Sequence, residues 1–355
     1  MTRRKSRQVM VGSVPIGGDA PIAIQSMTTT HTYDVAATVA QILRLEEAGC
    51  DIVRVAVPDE KAARALPEIL SKIHIPLVAD IHFHYQFALM AAEAGVQKIR
   101  WNPGNITDLS RVEKVVRACA ERKIPIRVGV NGGSLEKEIL EKYGYPTPEA
   151  LAESALRSIK LLDSFGFRDV VVSVKHSDPL QMIQAYRLLA AQTDVPLHLG
   201  VTEAGTILRG TVLSALGIGT LLMDGIGDTL RVSLTADSVE EVKVGKLILE
   251  AVGLRHSGAQ VIACPSCGRC DVDLIRLAEE VEHRVLSIKS PIKVAVMGCV
   301  VNGPGEAMDA DVAICGGKGQ GVIYVDGKVA RRESEDKLVD AMMDEIAKKI
   351  GQKTQ

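Results

Sequence analysis

The chain has 355 residues, and its 42 lysines and arginines against 44 aspartates and glutamates give a formal net charge of −2 at pH 7. This balance excludes a globally basic nucleic-acid-binding protein, although it leaves room for a local anion pocket. Aromatic residues make up only 3% of the chain, too few to build stacking platforms for single-stranded RNA. We therefore expect no nucleic-acid partner.

Hydropathy also argues against a membrane or secreted protein. No apolar run approaches the roughly 20 residues that a membrane-spanning helix requires. The basic cluster Arg3, Arg4 and Lys5 is not followed by the apolar segment of about 7–15 residues that a signal peptide needs. We expect a cytoplasmic protein with reduced thiols and no membrane partner. The length suggests about two domains, or one barrel with an appendage.

Strands and helices alternate along the first 250 residues. Apolar runs predict strands at 20–27, 51–57, 75–80, 96–101, 126–130, 169–174 and 197–201. Residues with helical spacing follow each run, and capping signals place the helix starts near Asp34, Asp59, Tyr85, Thr107, Thr147, Pro179 and Gly205. The sequence therefore predicts seven βα units.

The eighth unit is ambiguous, because residues 219–224 and 228–234 both resemble a strand before the helix predicted over 238–252. Eight alternating units over about 250 residues favour a TIM barrel over an open doubly wound sheet. The first strand is not followed by the Gly-x-Gly-x-x-Gly fingerprint, and its absence there argues against a dinucleotide-binding domain. We predict an α/β TIM (β/α)8 barrel over residues 1–256.

A second, smaller α/β domain is predicted over residues 257–355. It opens with a cysteine-rich loop, and a helix with apolar positions from Leu274 to Val285 follows. Strands are then predicted at 292–297 and 311–315, with a hairpin over 322–330 whose Asp326-Gly327 pair suits a two-residue turn. An amphipathic helix ends the domain.

Five of the seven cysteines follow residue 260, and four of them belong to two motifs. The motif C-P-S-C-G-R-C contains Cys264, Cys267 and Cys270, and the motif C-V-V-N-G-P-G-E runs from Cys299 to Glu306. Thiolates select zinc, copper(I) or iron-sulfur clusters. An oxygen ligand such as Glu306 argues for a cluster with an exchangeable iron, because a closed zinc site takes four nitrogen or sulfur ligands.

Two alternatives remain open for these cysteines. The metal could be a structural zinc that holds the small domain together beside a phosphate-binding barrel. Cys270 also keeps an all-thiolate site possible, because four cysteines are available for the same centre. Iron and sulfide in anaerobically purified protein would separate a cluster from a zinc module.

Charged and polar residues follow most of the predicted barrel strands. The active site of a TIM barrel lies at the C-terminal ends of its strands, so these side chains are expected to meet at one rim. Arginine forks suit phosphate oxygens, which predicts a phosphorylated small-molecule ligand, although any single residue could instead form a salt bridge inside the barrel. The rim residues are Arg54, Asp80, His82, His84, Arg100, Asn102, Asn105, Arg127, Asn131, Lys175, His176, His198, Glu203, Arg231 and Ser233.

Glu203 is the predicted general acid of this site. It is the only carboxylate that directly follows the seventh strand. A carboxyl group in a partly closed, water-poor pocket beside an anionic substrate retains its proton more easily than one in water. His82 and His84 do not predict a second metal, because alternate residues face the same side only while a strand persists.

Four stretches of the chain, residues 14–27, 98–105, 263–269 and 298–306, resemble the 4-hydroxy-3-methylbut-2-en-1-yl diphosphate synthase family. The similarity covers essentially the whole chain, and its length corresponds to the two-domain bacterial form. The resemblance implies that two electrons pass through one [4Fe-4S] cluster and open the ring of 2-C-methyl-D-erythritol 2,4-cyclodiphosphate with loss of water. This reaction serves the methylerythritol phosphate route to isoprenoids.

The resemblance also implies roles for individual residues. Glu203 would protonate the departing hydroxyl group. The cluster ligands would be Cys264, Cys267, Cys299 and Glu306. The diphosphate would be held by Arg54, Arg100, Arg127, Asn131, Lys175, Arg231, Ser233 and Asn302.

Cys270 and Cys315 depart from the family pattern, and we expect both to be bystanders. The partners that the resemblance implies are a flavodoxin or ferredoxin as electron donor and a second copy of the chain in a homodimer.

Overall fold

The computed structural model describes residues 2–82, 84–101, 108–255, 258–285, 288, 290–299, 301 and 303–353. The chain divides into two compact units, Met1–Arg255 and His256–Gln355. The boundary predicted between residues 256 and 257 lies outside the described residues and stays a prediction.

The first unit opens with an antiparallel hairpin of two three-residue strands, β1 (Val9–Val11) and β2 (Val14–Ile16). The sequence pattern did not predict this hairpin, because strands this short give no measurable alternation. The hairpin contributes to an apolar cluster at the N-terminal end of the barrel, which we call the apolar plug. Its members are Val11, Ile16, Ala23, Ile52 and Val78.

The predicted TIM barrel is confirmed. Its eight strands are β3 (Ala23–Met27), β4 (Ile52–Ala56), β5 (Leu77–Ile81), β6 (Lys98–Trp101), β7 (Ile126–Asn131), β8 (Val170–Lys175), β9 (His198–Leu199) and β10 (Thr229–Leu230). They pair in parallel in the order β8-β7-β6-β5-β4-β3-β10-β9, and a bridge between Val172 and Leu197 joins the two ends.

Helices follow the strands near the predicted starts, of which Thr107 lies outside the described residues. They are α1 (Val35–Glu47), α2 (Glu60–Leu70), α3 (Tyr85–Ala94), α4 (Leu109–Arg122), α5 (Lys137–Tyr143), α6 (Pro148–Ser164), α7 (Pro179–Ala190), α8 (Ile207–Met223) and α9 (Ser238–Ala251). The side chains of Asp34, Asp59 and Thr147 accept hydrogen bonds from backbone N–H groups in the first turn, which satisfies donors that a helix start leaves unpaired.

The ambiguity over the eighth strand is now resolved. Thr229 and Leu230 form the strand that pairs with both neighbours in the barrel. Residues 219–223 instead end α8, so the alternative strand at 219–224 is wrong. The run Gly-Thr-Leu-Leu-Met is apolar because α8 packs against the barrel there, and a short apolar run does not distinguish a strand from a buried helix segment. Helix α5 was not predicted.

The barrel interior is polar where most such barrels are filled with branched apolar side chains. On β6, Ile99 and Trp101 line a small apolar space beneath the outer helices. Because side chains alternate along a strand, Lys98 and Arg100 face the inside. Arg127 takes the same orientation on β7, where it pairs in register with Arg100.

The second unit is a five-stranded sheet with two long helices. Its elements are β11 (Ala259–Ala263), α10 (Leu274–Val285), β12 (Ile292–Met297), α11 (Gly303–Glu306), β13 (Val312–Gly317), β14 (Gln320–Val325), β15 (Lys328–Ser334) and α12 (Leu338–Lys353). The strand order is sequential, with β11, β12 and β13 parallel and the last two strands antiparallel. Strand β11 was not predicted.

The core of this unit confirms the helical faces that the sequence predicts. Leu274, Leu277 and Val281 of α10 are buried in one cluster with Leu338 and Met342 of α12. Asp326 and Gly327 have φ values of +50° and +73°, as a two-residue hairpin turn of the predicted kind requires. Within the described residues, no helix has both the length and the apolar character to cross a bilayer.

Candidate active site

A cavity of about 230 Å³ opens in the barrel, on the side where its strands end. Six of the predicted ligands line it, whereas Ser233 and Glu203 are not among the lining residues. Sequence reasoning did not single out Met27, Ser173 or Thr202. The lining residues are Met27, Arg54, Asp80, His82, Arg100, Arg127, Asn131, Ser173, Lys175, Thr202 and Arg231.

Asp80 is the anchor for two of the arginines. Its Oδ1 lies 3.0 Å from Arg100 Nη1, and its Oδ2 lies 3.5 Å from Arg54 Nε. Burial opposes ionisation of this carboxyl group, but the charges of Arg54 and Arg100 prevail and hold its pKa at about 2. Asp80 therefore stays ionised and fixes both guanidinium groups before any ligand arrives.

Arg127 has no such partner. Its side chain is fully buried, and none of its three guanidinium nitrogens has a hydrogen-bond partner in the described part of the chain. Burial lowers its pKa, and the positive charges of Arg54 and Arg100 lower it further. A buried guanidinium without a counter-charge is costly, so this position is built to receive an anion.

Lys175 resembles Arg127 in this respect. It is 6% exposed, and its pKa is lowered first by burial and then by the charges of Arg231 and Arg54. The structure gives it no ion pair among the described residues. Two cations of the cavity, Arg127 and Lys175, thus lack a carboxylate partner.

Glu241 on α9 is the second buried carboxylate of the site, and it pairs with Arg231. Glu241 Oε1 accepts from Arg231 Nη2 and from the Leu234 backbone N–H, both at 3.1 Å, and its Oε2 accepts from Ser26 Oγ at 2.9 Å. This network fixes the loop that carries Ser233, which is half-buried. Sequence reasoning missed Glu241 because a glutamate on an amphipathic helix gives no signal of burial.

Asn131 and His82 complete the polar wall beside Arg100. With its amide oxygen turned toward Arg100, Asn131 accepts from Nη2 at 3.3 Å and donates to the Val130 carbonyl at 3.2 Å. His82 Nε2 lies 3.4 Å from Arg100 Nη1, and its side chain is 42% exposed. Both residues therefore orient Arg100 toward the cavity.

Two inward-facing glycines make room for the cations. A Cβ atom at Gly129 would lie 2.5 Å from Arg100 Nε, and one at Gly200 would lie 2.6 Å from the Arg231 carbonyl oxygen and 2.9 Å from Lys175 Nζ. Atoms cannot approach this closely, so larger residues at these positions would displace the cations.

Gly200→Ala is expected to destabilise the barrel by about 1–3 kcal/mol, because the obstructing Arg231 carbonyl is backbone and cannot turn away. Urea unfolding measures this change. Gly219→Ala is the matched control: no atom lies within 4 Å of its new Cβ, and the site is inside α8, so stability should rise by up to about 1 kcal/mol. Equal effects of the two substitutions would contradict this account of Gly200.

Glu203 lies outside the enclosed part of the cavity. Its side chain is exposed, whereas the sequence analysis expected a partly closed pocket. Its backbone φ of +55° is one of four positive values among the described non-glycine residues. Such left-handed backbone is uncommon for a glutamate and occurs more often at functional sites than elsewhere. Its role as general acid stays a prediction.

The predicted thiolate ligands lie on loops at one edge of the sheet of the second unit. β11 and β12 are neighbouring parallel strands, and Cys264 and Cys299 each follow one of them. The Cys264 backbone N–H donates to the Val296 carbonyl at 3.1 Å, and its Sγ accepts from the Gly298 N–H at 3.4 Å. The first cysteine motif is therefore hydrogen-bonded to the residues that lead directly into the second motif.

The loop after Cys264 is a tight turn that presents Cys267. Ser266 has a φ of +64°, and the Cys270 N–H donates to the Cys267 carbonyl at 2.9 Å. Cys267 is exposed, whereas Cys299 is only 9% exposed. This arrangement leaves one thiol at the surface and one within the unit.

Cys270 and Cys315 pack against two glycines, one directly before the second motif and one within it. A Cβ atom at Gly298 would lie 2.5 Å from Cys270 Sγ, and one at Gly303 would lie 3.0 Å from Cys315 Sγ. Cys315 is fully buried on β13. All seven cysteines lie in the described residues, and none forms a disulfide.

The donor set fits an iron-sulfur cluster by its chemistry, since three thiols lie on loops at one sheet edge. Among the described residues, no three His, Cys, Asp or Glu side chains are gathered closely enough to hold a metal ion. Asn302 and the side chain of Glu306 lie outside the described part of the chain.

Comparison with known proteins extends these observations to the whole chain. The family model described as GcpE TIM-barrel domain matches residues 6–246, and that of the GcpE protein C-terminal domain matches residues 260–348. A crystal structure of dihydropteroate synthase from Stenotrophomonas maltophilia is similar with a TM-score of 0.51 and 14% identity, covering 70% of this chain and 100% of that chain. At this identity the similarity supports the barrel fold alone.

Curated relatives are much more similar. The 4-hydroxy-3-methylbut-2-en-1-yl diphosphate synthase (flavodoxin) of Caldanaerobacter subterraneus subsp. tengcongensis is 57% identical over 348 residues, which cover 98% of each chain. The protein of the same name from Geobacillus thermodenitrificans is 57% identical over 98% of this chain and 92% of the relative. The resemblance drawn from the motifs is confirmed, and the chain belongs to the 4-hydroxy-3-methylbut-2-en-1-yl diphosphate synthase family.

Proposed function

We propose that this chain is an iron-sulfur oxidoreductase that converts 2-C-methyl-D-erythritol 2,4-cyclodiphosphate to 4-hydroxy-3-methylbut-2-enyl diphosphate in isoprenoid biosynthesis. One observation supports binding of this substrate in the barrel cavity. Arg127 lines the cavity, and its buried guanidinium has no counter-charge among the described residues. A cyclic diphosphate supplies that charge. The relatives that match the chain are named for this product.

Binding of the diphosphate would use cations that are already in place. Arg54 and Arg100 are held by Asp80, and Arg231 is held by Glu241. Groups fixed in advance lose little conformational entropy when the ligand binds, and they need no reorganisation during the reaction. Arg127 and Lys175 contribute the unneutralised charge, with Asn131, Ser233 and Asn302 as further polar ligands.

The reaction opens a carbon–oxygen bond to the diphosphate, which leaves as a phosphate anion, and removes one hydroxyl group as water; two electrons are consumed, and one proton goes to the departing hydroxyl group. Cys264, Cys267, Cys299 and Glu306 would hold a [4Fe-4S] cluster, which supplies the electrons one at a time when bound. Glu203, at the mouth of the barrel, would donate the proton to the departing hydroxyl group. The relatives' name supports flavodoxin as electron donor, with ferredoxin as the alternative.

Iron and sulfide analysis of anaerobically purified protein tests the cofactor. About four irons and four sulfides per chain are expected, and zinc without sulfide would support the structural-zinc alternative instead. A thiolate-held cluster needs a reducing compartment, which supports the cytoplasmic location that the sequence predicts.

We also propose that the chain forms a homodimer, and α8 supplies a candidate surface. Leu208, Val212 and Leu216 follow one another at four-residue spacing on this helix, with exposed fractions of 81%, 59% and 47%. Residues at this spacing form a stripe along one helix face, and a two-fold axis can pair such a stripe with its own copy.

Leu208→Glu should convert the dimer to monomer, because the pairing of two copies would bring two buried carboxylates together. Sedimentation velocity measures the change. Leu109→Glu is the matched control, since Leu109 is 59% exposed on α4, away from this stripe, and should leave the dimer intact. A wild-type monomer, or a Leu208→Glu dimer as tight as wild type, would contradict the assignment of α8.

A further inference from the structure

Three inward-facing polar side chains lie in the barrel below the cavity and above the apolar plug. Gln25, Lys98 and His198 belong to β3, β6 and β9. Gln25 and Lys98 each precede a cavity-lining residue of the same strand by two positions, so each faces the same way about 7 Å deeper in the barrel. We call Gln25, Lys98 and His198 the inner layer.

The inner layer is buried and unpaired among the described residues. Lys98 and His198 are fully buried and Gln25 is 1% exposed. The described part of the chain offers no hydrogen-bond partner to the Lys98 amine, to the two ring nitrogens of His198 or to the two amide atoms of Gln25. Below this layer the apolar plug offers no polar group. A polar cluster of this kind is costly unless function uses it.

The charges around Lys98 are predominantly positive. Arg54 from β4 and Arg127 from β7 act on Lys98, and the same two arginines and Lys175 act on the neighbouring His198. The two buried carboxylates of the site are already paired, Asp80 with Arg54 and Arg100, and Glu241 with Arg231. Burial lowers the pKa of Lys98, and repulsion from Arg127 and Arg54 lowers it further.

We propose that Lys98 is a positioning residue of the reaction, uncharged while the cavity is empty and protonated once the cyclic diphosphate binds against Arg127. The bound anion neutralises the guanidinium charge that repels a proton from Lys98. The new ammonium group then adds positive charge beneath the diphosphate and keeps Arg127 directed toward the cavity. This inference rests on the proposed function to the extent that the diphosphate must bind in this cavity.

The proton would come from solution. Each phosphorus of a cyclic diphosphate carries one strongly acidic oxygen, unlike a phosphate monoester, whose second pKa is about 6. Proton uptake on binding means that affinity rises as pH falls, by up to about tenfold per pH unit for one proton. This dependence applies between the pKa of Lys98 in the empty protein and its higher pKa in the complex.

Titration calorimetry tests the inference. The full-length protein, without reductant so that no turnover occurs, is titrated with the cyclic diphosphate in buffers of different ionisation enthalpy at pH 7.5. The expected result is uptake of about one proton by the wild-type protein and of almost none by Lys98→Met. His198→Asn is the matched control, because it removes the other titratable group of the inner layer and should leave the uptake unchanged.

Several results would overturn the inference. Binding by the wild-type protein without proton uptake would contradict it and leave the proposed function intact, whereas failure to bind at all would contradict the assignment of the cavity as well. Uptake that persists in Lys98→Met, or disappears in His198→Asn, would assign the proton to another group. If Lys98→Met does not fold, the pH dependence of substrate binding by the wild-type protein remains as the test. An affinity that is constant from pH 6.5 to 8.5 overturns the inference.

Discussion

Arg127→Met is expected to make the protein more stable and almost unable to bind its substrate. The wild-type guanidinium is fully buried with three unpaired nitrogens, and replacement of buried charge by an apolar side chain of similar length often stabilises a protein by about 1–4 kcal/mol. Loss of a buried contact to a phosphate group weakens binding by about 2–5 kcal/mol, which is about 30-fold to several thousand-fold in Kd.

Urea unfolding and calorimetric titration with the cyclic diphosphate measure the two effects separately. Arg117→Met is the matched control, because Arg117 is 81% exposed on α4 and, among the described residues, pairs only with Glu121, one turn away. This control substitution should change the free energy of unfolding by no more than about 0.5 kcal/mol and should leave substrate binding unchanged. A destabilised Arg127→Met protein that still binds substrate with wild-type affinity would show that Arg127 is a structural residue.

Asp80→Asn is expected to have the opposite effect on stability. Asp80 is the shared partner of Arg54 and Arg100, and removal of one member of a buried ion pair costs about 3–5 kcal/mol, because the remaining charge is left unpaired. For a unit of this size the unfolding temperature should fall by about 6–20 °C. Calorimetric unfolding of the two proteins at pH 7 measures the change.

The pH dependence of stability gives a second test of Asp80. Its pKa is about 2 in the folded protein and about 3.9 in an unfolded chain, so ionisation of Asp80 contributes about 2 kcal/mol of stability above pH 4. A depressed pKa means that this contribution is lost as pH falls from 4 through 2. The stability difference between wild type and Asp80→Asn should therefore shrink between pH 6 and pH 3.

Glu138→Gln is the matched control for this acid-to-amide change. Glu138 is 84% exposed and lies 3.5 Å from Arg157, so its replacement should cost less than about 0.5 kcal/mol at any pH. If Asp80→Asn were as mild as Glu138→Gln, the two arginines would not depend on Asp80, and the preorganisation of the cavity would need another cause.

Much of the barrel was predictable because its outer face follows simple periodicity. Strands such as β4 and β8 are mostly apolar runs of five and six residues, and capping residues such as Asp34 and Thr147 mark where helices begin. The eighth strand was harder, because Thr229 and Leu230 alone form it and a longer apolar run ends the preceding helix. Short elements carry too few residues for periodicity to separate strand from helix.

The candidate site was predictable in its charges but not in their pairing. The position of Arg54, Arg100 and Arg127 near strand ends indicates a common rim, as a parallel barrel requires. Sequence patterns do not reveal that Asp80 neutralises two of these arginines and leaves Arg127 alone, since pairing depends on rotamers and on neighbouring strands. The same limit applies to Lys98, whose burial depends on the closure of the barrel around it.

Phosphorus NMR of the cyclic diphosphate under anaerobic reducing conditions tests the central claim most directly. The wild-type protein with a full complement of iron and sulfide should convert the cyclic diphosphate to a linear diphosphate. Arg127→Met should keep its iron and sulfide but react at least about 30-fold more slowly, and Cys299→Ser should lose iron yet still bind the substrate. Iron-loaded wild-type protein that leaves the cyclic diphosphate unchanged would contradict the account.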